Sequence, residues 1–398
     1  MRPENRGGVL RKLTISFAAA ALALAVSACS SSEPLPRLPA VPPLESNQVA
    51  FQGIPFARFL PNDTAAMRAL GRRLSEREES YYASLGRPLP PDINLLAISG
   101  GGDDGAFGAG LLVGWDETGT RPDFKLITGV STGALIAPFV FVGDDRALTD
   151  LMTTVDQDDI YLKRPLVQGL TSDALSDSAP LATLIARYVD ARMVTRIAQE
   201  SQRGRALFVI TTDLDAGVPV IWDIGAIAES GGPRAIDLIR KVLLASASIP
   251  GQFPPVMFDV SLDGTHYQEM HVDGGASVQT FLYPPGIRAI SKERPITAYV
   301  IRNDRLSPEW HDVQRTTLSI ANRAVSTLTT DSGLGDLYRV YALAERDGVR
   351  FQLAYIGDDF DEAHPAADFN HGFMVKLFDY GRAKARAGYS WLAGPPGF

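Results

Sequence analysis

The chain has 398 residues, 45% of them hydrophobic, with a formal net charge of −8 and a single cysteine. This length suits one large domain with extensions, and the apolar share is enough to build a sizeable core. The negative balance speaks against a general nucleic-acid binder, which needs a basic patch to displace counterions.

Residues 1–12 are polar with net positive charge, and residues 13–26 (LTISFAAAALALAV) are almost wholly apolar. The apolar run is shorter than the roughly 20 residues of a membrane-spanning helix and leads into small residues. Residues 1–28 therefore read as a secretory signal. Cys29 closes Val26-Ser27-Ala28-Cys29, which resembles the lipobox of bacterial lipoproteins. That resemblance implies lipidation of Cys29 and a membrane partner through an N-terminal lipid anchor. Ser30 in the next position favours the outer membrane of the cell envelope, facing the periplasm. Several acyl chains on one residue anchor far better than one.

Residues 29–61 are rich in proline and serine and read as a semi-rigid tether. Residues 62–92 form an N-terminal segment, helical to about residue 83, with Asp63 or Thr64 as its cap. From Ile93 the pattern changes. INLLAIS (93–99) is an apolar run of strand length, followed by a glycine loop and a helix over 106–115. FKLITGV (124–130) is a second buried strand and residues 131–143 the helix after it. Residues 181–200 are strongly periodic and helical. Residues 206–214 and 218–224 read as strands around an Asp-Ala-Gly turn, and residues 233–248 as a helix with Pro233 in its first turn. Residues 295–303 make a further strand, 311–345 are mostly helical, 350–357 form an edge strand, and 373–392 an amphipathic helix. Strands alternating with helices give an α/β domain with a largely parallel sheet. The catalytic domain is placed at 93–285 and a C-terminal α/β extension at 286–398. The extension has three open roles: completing the sheet, covering a groove or binding a partner.

Three motifs carry chemistry. Gly129-Val130-Ser131-Thr132-Gly133 fits GxSxG, with a buried strand before it and a helix after it. That context exposes a serine hydroxyl at a helix N-terminus, where partial positive charge favours its alkoxide. A helix N-cap is the plainer reading of Ser131. The second motif, SGGGDDGAFGAG (99–110), puts glycines at a strand end, where unpaired N–H groups converge on one point. Its Gly100, Gly102 and Gly105 also satisfy GxGxxG. However, Asp103 and Asp104 stand where a phosphate loop needs a lysine, so no nucleotide is expected. A tetrahedral oxyanion carries one charge and needs only two or three aligned donors. The third is His271-Val272-Asp273-Gly274-Gly275, by itself a turn.

Together these resemble the patatin-like phospholipase family, which carries a glycine-rich oxyanion loop, GxSxG and Asp-Gly-Gly in this order. Residues 245–255 (ASASIPGQFPP) match a further family stretch, with Ser248 where alanine is usual. The resemblance covers residues 93–281. It implies a three-layer α/β/α fold with a mostly parallel central sheet and a nucleophile elbow. It also implies a lipid acyl hydrolase acting on a lipid or ester substrate through a Ser–Asp dyad. Ser131 takes the role of nucleophile and Asp273 that of base. Backbone N–H groups of Gly100, Gly101, Gly102 and Asp103 hold the oxyanion, while Gly105, Gly129, Gly133, Gly274 and Gly275 support the motifs. No cofactor and no metal is implied. An ordinary aspartate is a poor base for a hydroxyl, so Asp273 needs burial to raise its pKa.

One departure stands out. The family commonly carries GGGxRG, with arginine at the place of Asp104. An acid there disfavours an anionic head group and leaves neutral lipids or simple esters open. Two rivals remain: a Ser-His-Asp esterase using His311, His364 or His371, and a catalytically silent envelope lipoprotein that binds lipid. His266, His271 and Asp273 match no metal-site spacing. Asp213 and Asp215 are read as turn residues, and Trp115, Trp222 and Trp310 as core or groove wall.

Overall fold

The computed structural model describes residues 35–398 apart from 44, 47, 50–52, 284–293, 309, 311 and 366. The signal segment, Cys29 and His311 lie outside the described residues. The elements that position the site are, in chain order, α1 (Thr64–Ser84), β1 (Ile93–Ile98), α2 (Gly105–Glu117), β2 (Phe124–Val130) and α3 (Thr132–Val142). Then come α4 (Ala179–Tyr188), α5 (Ala191–Gln202), β3 (Ala206–Asp213), β4 (Val218–Asp223), α6 (Gly232–Ser246), β5 (Val256–Leu262) and β6 (Thr265–Asp273). β7 (Ile296–Arg302), α7 (Thr317–Asp347), β8 (Arg350–Tyr355) and α8 (His371–Arg386) complete the chain.

β3, β2, β1, β7 and β8 lie side by side in that order, all parallel. β4 and β6 both pair with β3 antiparallel, and β5 pairs with β6. β1 and β2 are buried throughout, as strands covered on both faces must be. Their alternating side chains feed two cores. Leu96, Ile98 and Ile127 face one, shared with α2, α3, α5, α6 and α8. Leu95, Ala97, Leu126 and Val130 face the other, shared with α1 and α7. The result is a three-layer α/β/α architecture. Residues beyond 285 complete the sheet: β7 lies directly against β1, and α8 packs on α2 through Phe107 and Tyr380.

The structure refines several expectations. The periodic stretch 181–200 is two helices, because the Asp190 carboxylate takes the Met193 amide at 2.8 Å and starts α5 afresh. β5 carries no strand expectation. It forms because Asp263 and Gly264, at φ 49° and 80°, fold it into a tight hairpin with β6. α8 stops at Arg386, and the tail instead covers the edge of β8, where Leu392 and Leu353 exchange backbone hydrogen bonds at 2.8 and 3.0 Å. Trp222 is core and Trp115 packs among Phe124, Tyr299 and Trp391, whereas Trp310 is 85% exposed in the connection after β7. Asp213 does serve its turn, accepting from the Asp215 amide at 3.0 Å. Among the described residues no helix is long and apolar enough to cross a membrane.

Candidate active site

Ser131 sits on the turn between β2 and α3 at φ 54° and ψ −125°, a conformation that costs a residue with a side chain about 1–3 kcal/mol. The surroundings enforce it. The Ser131 amide donates to Ser246 Oγ at 3.0 Å, and Ser246 Oγ donates onward to the Ile210 carbonyl at 2.7 Å. The Ser131 carbonyl accepts from Ala134 and Leu135. Glycines two positions either side are needed for this closeness: a Cβ on Gly129 would lie 2.4 Å from the Gly133 carbonyl, and one on Gly133 would lie 2.3 Å from that of Ile98. Although Ser131 occupies the N-cap position, its side chain makes no cap hydrogen bond. The hydroxyl is left for other use.

Asp273 ends β6, held by its own amide, which donates to the Ser248 carbonyl at 2.8 Å. Oδ1 accepts from the Gly275 amide at 2.7 Å. Oδ2 accepts no hydrogen bond among the described residues. Burial pushes the Asp273 pKa up to about 7, and Ser131 and the Gly275 amide draw it back only in part. No described histidine hydrogen-bonds Ser131. His371 Nε2 lies 2.8 Å from the Thr153 carbonyl oxygen, and His364 belongs to the loop described next.

The glycine loop leaves β1 beside the serine: a Cβ on Gly100 would lie 3.2 Å from Ser131 Cβ. The Gly100 amide is already turned to the Gln279 carbonyl at 3.3 Å, which removes it from the expected donors. Among the described residues no oxygen takes the amides of Gly101 and Gly102. Gly105 opens α2 against Thr132, and the Gly274 carbonyl accepts the Thr212 hydroxyl at 3.3 Å. The Asp103 carboxylate turns away toward the C-terminal segment. Its Oδ1 lies 3.1 Å from His364 Nε2, and Oδ2 accepts the Phe369 amide at 2.9 Å. The hydrogen bond to Asp103, and the nearby charge of Asp104, raise the His364 pKa to about 9. An imidazole from about 260 residues further along the chain thus stands beside the acidic loop and carries charge near neutral pH.

Behind Asp273 on the same strand lies a polar cluster. Arg58 clasps Glu269 through both guanidinium nitrogens, and Glu269 Oε2 lies 3.2 Å from His271 Nε2. His271 Nδ1 meets Thr211 Oγ1 at 2.8 Å, and Thr211 in turn accepts the Trp222 indole N–H at 2.8 Å. Burial lowers the His271 pKa, so the ring is neutral, and a proton on Nε2 satisfies every bond. Arg58 already engages both oxygens of Glu269.

Four residues that the motifs did not assign a role hold this geometry. Ser246 fixes the elbow, and the buried Asp336 carboxylate takes the amides of Gln279 and Thr280 at 2.6 and 3.2 Å. Asn303 and His364 fasten the glycine loop. Ser246 lay within the quoted stretch 245–255, whereas Asn303 and His364 carry no local signal.

Fold and site define a three-layer α/β protein with a strand–serine–helix elbow facing a buried carboxylate. Residues 96–281 match the family model for patatin-like phospholipases, and the chain carries a patatin-like phospholipase domain over that span. Among solved structures, VipD from Legionella pneumophila aligns at 12% identity and a TM-score of 0.35, covering 76% of this chain and 68% of that one. Human GIVD cytosolic phospholipase A2, in complex with a methyl gamma-linolenyl fluorophosphonate inhibitor and terbium chloride, aligns at 10% identity and a TM-score of 0.31. That alignment covers 83% of this chain and 65% of the human one. No curated protein matches the sequence.

Proposed function

We propose that the protein is a serine lipid acyl hydrolase that works through Ser131 and Asp273. The observation that carries this reading is the pairing of a strained, uncapped serine with a buried carboxyl whose pKa lies at about 7. A base poised near neutrality is what proton abstraction from a hydroxyl needs. Ser131 Oγ attacks the ester carbonyl while its proton passes to Asp273. The amides of Gly101, Gly102 and Asp103 hold the resulting oxyanion. Collapse breaks the bond to the leaving alkoxide, which takes the proton from Asp273 and departs as an alcohol. A water then gives its proton to Asp273 and attacks the acyl-enzyme; Ser131 recovers that proton as the carboxylic acid leaves.

The purified full chain should hydrolyse short-chain p-nitrophenyl esters, and Ser131→Ala should not. Turnover in the wild type no higher than in that variant overturns the reading. The sequence pattern around Cys29 supports a further part of the proposal, anchoring to the outer membrane by lipidation of that residue. Cys29→Ser should release the protein from the membrane fraction of its cells, and continued sedimentation with membranes would refute the anchor.

A further inference from the structure

We propose that Asn303 is the positioning residue of the oxyanion loop, holding residues 99–108 in the shape that presents the Gly101 and Gly102 amides to substrate. The inference rests on reading that loop as the oxyanion hole. Asn303 follows the last residue of β7 and is wholly buried. Its backbone N–H donates to Ser99 Oγ at 2.9 Å, and Nδ2 donates to the Ser99 carbonyl at 2.9 Å. Its Oδ1 accepts the Gly108 amide at 3.0 Å. Ser99 Oγ passes the chain on to the Gly100 carbonyl at 2.6 Å.

Gly108 lies at the end of the first turn of α2 and anchors the start of the helix. Its amide donates to a side chain 195 residues away. One amide group therefore grips the residue before the loop with its nitrogen and the helix after the loop with its oxygen. Gly101, between those grips, lies against the Asn303 backbone at φ 157°, where a Cβ would come within 2.2 Å of the Asn303 carbonyl oxygen. The need for such a brace follows from composition. A run of glycines has no side chains with which to fix itself and is conformationally loose. Donors stabilise a transition state in full only when they are fixed beforehand. Asn303 supplies that fixing and touches no reacting atom.

The polarity of the amide makes the inference testable. Asn303→Asp keeps the acceptor for Gly108 but sets a second oxygen against the Ser99 carbonyl. Ser99→Ala removes only the hydroxyl that links the Asn303 amide to Gly100. The full-length variants should be compared with wild type for kcat and KM on p-nitrophenyl butyrate, the rate of inactivation by an alkyl fluorophosphonate, and thermal unfolding. A loop displaced by a fraction of an ångström should lower kcat about 30-fold to 100-fold in Asn303→Asp, with KM changed by less than about threefold. Fluorophosphonate inactivation should slow by the same factor, because its phosphonyl oxygen uses the same amides. The pH midpoint of activity should stay where Asp273 puts it. Ser99→Ala should show the same pattern at about fivefold. A kcat within about twofold of wild type in both variants, or a loss confined to KM, overturns the proposal. If Asn303→Asp does not fold, Ser99→Ala decides alone on the same criteria. A wild-type chain with no turnover above Ser131→Ala overturns the reading of the site, and this inference with it.

Discussion

Glu269 and Asp273 stand on the same face of one strand, both buried, and their acidities move in opposite directions. Burial raises both. At Glu269 the hydrogen bonds from His271 and Arg58 outweigh it and bring the pKa down to about 2, whereas Asp273 has no cation beside it among the described residues and remains at about 7. Depth alone does not bring a carboxyl's pKa to neutrality. The absence of a counter-charge does, and each unit of that contrast represents about 1.4 kcal/mol. Asp103 is a third case, buried like the others and given one partner imidazole.

The largest effect should come from Asp273→Asn. It should remove activity by about a thousandfold, the scale of a lost general base. In the wild type, kcat should rise with pH through about 7 as the carboxyl ionises. Stability should run the other way. The native state keeps its proton to about 7 while the unfolded chain releases it near 3.8, so the stability gained below 3.8 is lost as pH rises through 7. Above pH 8 the variant should therefore be the more stable, by up to about 4 kcal/mol in urea unfolding, and the two should converge in acid. A variant no more stable than wild type at high pH would show that Asp273 is not held against its charge.

Glu269→Gln tests the opposite pole. It leaves Arg58 buried without its carboxylate and should cost about 3 kcal/mol at neutral pH. The folded pKa is depressed here, so the wild-type advantage exists above 4.5 and disappears as pH falls through about 2. Urea unfolding across that range should show the two chains converging. Equal stability at neutral pH would mean that the Arg58–Glu269 pair contributes nothing net.

The smallest effect belongs to His364→Ala. Its raised pKa means that the stability it supplies is complete below 6.5 and is lost as pH rises through about 9. The variant should be about 1 kcal/mol less stable near neutrality and indistinguishable above about pH 10. Activity on anionic lipid should fall relative to neutral ester if that imidazolium offsets Asp104. An unchanged ratio would separate His364 from substrate choice.

How much of this was legible in sequence follows the range of the contacts. The elbow and the loop were readable because the glycines, the serine and the flanking strands are contiguous around Ser131 and Gly100. The break at Asp190 and the hairpin at Asp263-Gly264 were written in cap and turn chemistry but masked by stronger periodicity nearby. The raised pKa of Asp273 was anticipated only as a requirement; its cause is burial of the carboxyl at the end of β6, which no local pattern reveals. The roles of Asn303 and His364 at the loop left no local signal because their partners lie about 200 and 260 residues away.

The place of β7 beside β1 has a consequence for order in time. Chains are made from the N-terminus, and the elbow, the glycine loop and the Asp-Gly-Gly turn all emerge before residue 296. Until β7 arrives, one edge of β1 is bare and Ser99 and Gly108 lack the partner that holds the loop. The parts named by the three motifs exist early, but they reach their final arrangement late, when just over three quarters of the chain has been synthesised. A nascent or truncated chain ending before Asn303 thus carries every motif residue without the brace that sets the loop.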